Sequence, residues 1–154
     1  MKGFYLAVND IEMHKLKRGM VRIPDLRPAL LLDIDKTWQS IHYILTGTIE
    51  DGDLPFGLVV PIRGQNELPV ATTNVFELKP FEVIAVNSAL QLFDRTLFLD
   101  MYDYELLMEE VPYPPFKGPN SKEYFEELWE TFEELKYFFT EAEKTGFGVL
   151  FYVD

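Results

Sequence analysis

Between Asp33 and Gly47 the chain reads DIDKTWQSIHYILTG, the stretch richest in side chains able to do chemistry. At about 100° per residue, Ile34, Trp38, Ile41 and Leu45 fall within about 60° of one another, a stripe that must face a core. Asp35 and His42 lie on one flank of that stripe with Trp38 between them, and Gln39 stands further round on the same side. A carboxylate, an indole and an imidazole on one half-buried edge is the composition of a pocket lining. Asp35, Trp38, Gln39 and His42 are therefore the ligand-pocket candidates. Geometry limits what they can do. At about 1.5 Å rise per residue, Asp35 and His42 stand about 10 Å apart along the axis and form no dyad. The plainer reading makes Asp35 a capping acid at the positive end of the helix and His42 a hydrogen-bonded core histidine.

Other constellations fail by inspection. The chain has no Gly-x-x-x-x-Gly-Lys-Ser/Thr, Gly-x-Gly-x-x-Gly, His-Glu-x-x-His or Gly-x-Ser-x-Gly. Its histidines are His14 and His42 alone, which excludes a multi-histidine metal site, and no calcium-loop spacing is present. The absence of cysteine removes disulfides, thiolate catalysis, zinc fingers and iron–sulfur clusters. Asp51 and Asp53, around Gly52, read as a turn. The expectation is no catalytic residue, no metal and no cofactor.

Charge is more informative. The 154 residues carry 14 basic and 26 acidic side chains, a net charge of −12 and the wrong sign for a nucleic-acid binder. Residues 1–77 hold 8 basic and 10 acidic groups; residues 78–154 hold 6 and 16. The excess concentrates in Glu123, Glu126, Glu127, Glu130, Glu133, Glu134, Glu141 and Glu143. Such a face keeps a protein in solution, and it also sets up a field that steers a basic partner. Glu126, Glu130 and Glu133 are the partner-binding candidates. The basic residues Lys15, Lys17, Arg18, Arg22 and Arg27 have Glu12 and Asp25 among them and read as ordinary surface. The start of the chain lacks the apolar run of a signal peptide, and no window reaches membrane-span length, so a cytoplasmic protein with no membrane partner is expected.

These side chains need a scaffold. An apolar share of 47% and 23 aromatic residues give a chain of this length the means for one hydrophobic core. GFYLAV (Gly3 to Val8) reads as a strand, followed by a helix from Ile11 to Arg18 capped by Asn9 or Asp10 and stopped by Gly19. Prolines and glycines keep elements between 50 and 70 short; Gly57 to Ile62 fits a buried strand or a helical turn. Pro80 opens a helix running to Phe93, apolar on all sides and so expected to be central and buried. Thr96 to Glu110 reads as one further helix. VPYPPFKGPN (Val111 to Asn120) reads as a loop, with Tyr113 covering the core. Asn120 and Glu123 have capping-box spacing, ahead of a core stripe of Tyr124, Leu128, Phe132, Leu135, Phe139 and Ala142 that Gly146 ends. GVLFYV closes the chain as a strand. The predicted class is α+β: a single compact domain, 1–154, with about five or six helices on a small mixed sheet that includes the N-terminal and C-terminal strands.

LDIDKTWQSIHYILTG, from Leu32 to Gly47, resembles the most characteristic stretch of the YfbM-like proteins, small bacterial chains classed as a domain of unknown function. Asp33, Asp35, Lys36, Trp38, His42, Thr46 and Gly47 stand where that pattern would put them. FELKPFEV resembles the family's lead into a middle helix, and FEELKYFFTEAEKTGFGVLFYV its final helix and strand. LPFGLVVPIRGQNELP departs from it, with Gly64 alone where a Gly-Gly pair is expected. The resemblance implies a compact α and β domain and supplies no activity. Two readings of function follow. One is a non-enzymatic acidic interaction module, immunity- or antitoxin-like, that binds a basic protein. The alternative is a small-ligand binder or enzyme with a cleft beside Asp35, Trp38 and His42.

Overall fold

The structure, a computed structural model, describes residues 1–70, 74–112 and 120–154. At its centre lies a sheet of β1 (Gly3–Val8), β2 (Leu30–Asp33), β3 (Val75–Leu78) and β4 (Gly148–Val153), in the order β2-β1-β4-β3. The first and last strands are thus central neighbours. All three pairings are antiparallel, so the sheet is not mixed in strand direction. Strand direction depends on the end of the sheet to which intervening helices return the chain, and composition carries no record of that.

Among the described residues six helices pack around the sheet: α1 (Asp10–Lys17), α2 (Trp38–Thr46), α3 (Pro80–Leu90), α4 (Arg95–Met101), α5 (Tyr104–Glu110) and α6 (Ser121–Thr145). Their starts follow from capping chemistry. Asn9 Oδ1 accepts from the Glu12 N–H, and Asn120 Oδ1 from the N–H groups of Lys122 and Glu123. Pro80 occupies the first turn of α3, where Glu82 accepts from the Lys79 N–H. Gly146 ends α6 in the left-handed region that favours glycine, at φ 69°.

Alternation along the strands divides the core in two. Tyr5, Ala7, Phe76, Leu78, Val149 and Phe151 form the larger cluster with inward residues of α2, α3 and α6. The Tyr5 ring meets Phe138, Phe139 and Phe151 with centroids 4.8–5.7 Å apart, and its phenol donates to the Val59 carbonyl at 2.6 Å. On the other face Leu6, Val8, Val75 and Leu150 are covered by Met13 and Leu16 of α1 and by Leu26. The whole predicted stripe of α6 is buried.

Two expectations are corrected. Thr96 to Glu110 is two helices, because Asp94 caps α4 and Asp103 starts α5 afresh by accepting from the Leu106 N–H. The run from Phe81 is not buried all round: Val83, Val86, Ala89 and Leu90 face inward while Phe81, Ile84 and Leu92 are exposed. Apolarity on every side does not say which sides the rest of the chain will cover. Of the two readings open for Gly57 to Ile62 the helical turn is the one found, a 3-10 turn over Phe56–Leu58 that leads into the buried Val59 and Val60. Residues 113–119 of the proline-rich loop, Tyr113 included, lie outside the described residues. Among the described residues no helix is long and apolar enough to cross a membrane.

Candidate functional site

The four pocket candidates occupy different environments, and the reason lies in how the chain enters α2. Asp33 Oδ1 accepts from the Asp35 N–H at 2.7 Å, and residues Asp35–Thr37 form a 3-10 turn before α2 begins. A regular wheel drawn through Asp35 therefore misplaces it. Asp35 is not the capping acid: its φ is 48°, its carboxylate is exposed, and Lys2 Nζ lies 3.8 Å from it and from Asp33. Trp38 is buried against Gly3 and Phe151, with Nε1 donating to the Met1 carbonyl at 3.4 Å. Gln39 is half-buried on the first turn of α2.

His42 is completely buried, and neither ring nitrogen has a hydrogen-bond partner among the described residues. That corrects the expectation of a bonded core histidine. Burial lowers its pKa from 6.5 to about 4; the Glu50 carbonyl and the Asp51 charge oppose this only in part, and Arg63 adds to it. At neutral pH the imidazole is uncharged. The loop above it is tightly built: Arg63 Nη1 donates to the Gly52 carbonyl at 2.6 Å, and Thr46 Oγ1 to the His42 carbonyl at 2.7 Å. Among the described residues no group of three acidic or histidine side chains could hold a metal ion.

A second assembly lies along α6. Its core stripe faces the sheet, which leaves Glu130, Glu133, Glu134 and Tyr137 exposed on the opposite side. Glu126 is engaged in a two-pronged pair with the Arg95 guanidinium, and Glu141 pairs with Lys144. Glu130, Glu133 and Glu134 make no ion pair among the described residues. Beside them a groove of about 430 Å³ opens between α6 and β2. Leu30, Leu31 and Leu32 form one wall, Tyr137 and Phe138 the other, and Glu133, Glu134 and Glu141 the border. The acidic border continues past the strand. Burial, then the charge of Asp35, then that of Glu130, raises the pKa of Glu127. Asp35 thus belongs electrostatically with α6 rather than with His42.

Sequence reasoning missed the groove. Its strand wall was visible only as three leucines ahead of Asp33. Tyr137 carried a signal that could have been used, an aromatic standing off the core stripe of an otherwise acidic face.

Fold and site together define an α+β domain with one acidic helix laid along the edge of an antiparallel sheet. The family model for a domain of unknown function, DUF1877, matches residues 1–152, and the chain belongs to that family. The crystal structure of YfbM from Escherichia coli, itself a protein of unknown function, is similar over 100% of both chains, with a TM-score of 0.78 and 22% identity. At that identity the likeness is one of fold. A comparison with curated proteins gives no match.

Proposed function

We propose that this chain is a non-enzymatic interaction module, cytoplasmic and acidic, whose α6 face binds a basic protein surface. One observation carries the reading. Glu130, Glu133 and Glu134 are exposed along one side of α6 and make no ion pair among the described residues, next to an apolar groove and a tyrosine that is 69% exposed. Aromatic and apolar anchors bordered by charge of one sign make a surface on which a partner is steered electrostatically and held by buried contacts. A face serving only solubility needs the charge and has no use for an exposed Tyr137 over a leucine-lined groove.

The test is affinity capture of the tagged protein from its native lysate at low and then high salt, read by mass spectrometry. Raising salt from about 0.1 M to about 1 M shortens the screening length from about 10 Å to about 3 Å. The reading expects a stoichiometric basic protein that elutes with salt. A partner unaffected by salt, or none, would remove it.

A further inference from the structure

The two edges of the sheet are finished differently. Along β3, Glu67 bridges to Phe76 and the Leu68 N–H donates to the Val75 carbonyl at 2.8 Å, so the chain itself closes that edge. Among the described residues the β2 edge has no such cover. The Ile34 N–H donates to the Gly3 carbonyl at 3.0 Å, and the pairings of Leu32 with Tyr5 and Leu30 with Ala7 continue the same ladder. Antiparallel alternation then turns the backbone groups of Leu31 and Asp33 outward. Among the described residues nothing bonds to the outward N–H and C=O of either residue. Natural sheets blunt such edges with lysine, proline or a covering segment. β2 reads LLLD, and Leu31 is 61% exposed.

The surroundings specify what fits. A strand laid beyond β2 would run in the groove beneath α6. Side chains on its face toward α6 would meet Leu30, Leu32 and Tyr137, and long side chains further along that same face would reach Glu133 and Glu134. Apolar residues suit the first position and lysine or arginine the second. A second copy of this chain fits poorly, because pairing two β2 edges would bring together the acidic borders of two molecules each of net charge −12.

We propose that the outer edge of β2 binds an extended segment of a basic protein as a fifth strand, whose face toward α6 carries apolar residues followed by lysine or arginine. The proposal rests on the reading of α6 as a face for a basic partner.

The probe is a short synthetic valine–lysine peptide whose every second residue is valine and then lysine, with threonine on its other face, compared with its valine–glutamate counterpart and with the same valine–lysine peptide N-methylated along its backbone. Methylation keeps the charge and removes every backbone donor. Binding is measured calorimetrically at low salt, alongside amide exchange at Leu31 and Asp33. The valine–lysine peptide should bind and protect both amides, and the valine–glutamate peptide should not bind. Methylation should weaken binding by about tenfold or more, as should Leu31→Pro, whose lost N–H faces away from β1. Should Leu31→Pro fail to fold, the methylated peptide carries the same comparison. Equal binding of the methylated peptide would overturn strand addition and leave charge attraction alone. Failure of the valine–lysine peptide to bind, while a basic partner is still captured from lysate, would overturn it and leave the α6 reading standing. Backbone-dependent binding indifferent to Glu133→Gln and Glu134→Gln, or self-association through β2, would overturn the basic partner itself.

Discussion

The hydroxyl of Ser40 on α2 and the phenol of Tyr124 on α6 share a hydrogen bond inside the core. Burial pushes the Tyr124 pKa up to about 12, with the Ser40 bond pulling the other way. The contact locks the helix of the family-like motif to the helix that carries the acidic face. Tyr124→Phe removes one partner and strands the other, so it should cost about 1–3 kcal/mol. Adding Ser40→Ala should cost less than the two single losses together. Chemical denaturation of the three variants checks both statements.

His42 should make the protein acid-sensitive in a definite window. Its folded pKa of about 4 lies below the ordinary 6.5. Between those values the unfolded chain binds a proton that the folded chain refuses, so stability falls as pH drops through the window and levels below it. The shift corresponds to about 3 kcal/mol. His42→Leu should be close to neutral at pH 7 and should flatten the decline between pH 6.5 and 4. Unfolding curves at stepped pH would show it; a decline of unchanged steepness would rule out His42 as its source.

The loop over His42 depends on a close backbone approach. A Cβ at Gly57 would stand 2.5 Å from the Gly52 carbonyl oxygen and 2.9 Å from that of Asp51. Backbone atoms must move to admit it, so Gly57→Ala should destabilise by about 2 kcal/mol. Gly64→Ala, in open space and with no positive φ, should be tolerated. Melting temperatures of the pair make the comparison.

Tyr137 offers a cleaner separation of binding from folding. Its ring is mostly exposed and lines the groove, so Tyr137→Ser should leave stability within about 0.5 kcal/mol. Partner affinity should fall by about tenfold or more, as for a loss at a central anchor. Calorimetric titration beside a melting curve reads the two quantities independently.

Local signals carried most of the scaffold. Asn9, Pro80, Asn120 and Gly146 mark helix ends through capping chemistry, and the period of Tyr124, Leu128, Phe132 and Leu135 names the buried side of α6. The first and last strands were legible because their apolar runs are bounded by polar residues. The entrance to α2 was not, since a 3-10 turn shifts Asp35 off the helical wheel and the responsible bond comes from Asp33. The break at Tyr102 was hidden by continuous helix-forming composition on both sides. The groove was invisible for another reason. It joins residues 30–32 to residues 133–141, and no local pattern records that packing. The family-like motif identified the fold but pointed to Trp38 and His42, which the structure buries.

The central claim, that the acidic side of α6 binds a basic partner, is tested most directly by replacing three of its exposed acids together. The measurement is partner affinity against salt concentration for the native chain and for the combined Glu130→Gln, Glu133→Gln and Glu134→Gln variant. These residues are exposed and make no ion pair among the described residues, so the variant should melt close to the native temperature. The account predicts weaker binding and a shallower dependence on salt in the variant. Equal affinity and an unchanged salt slope would contradict it.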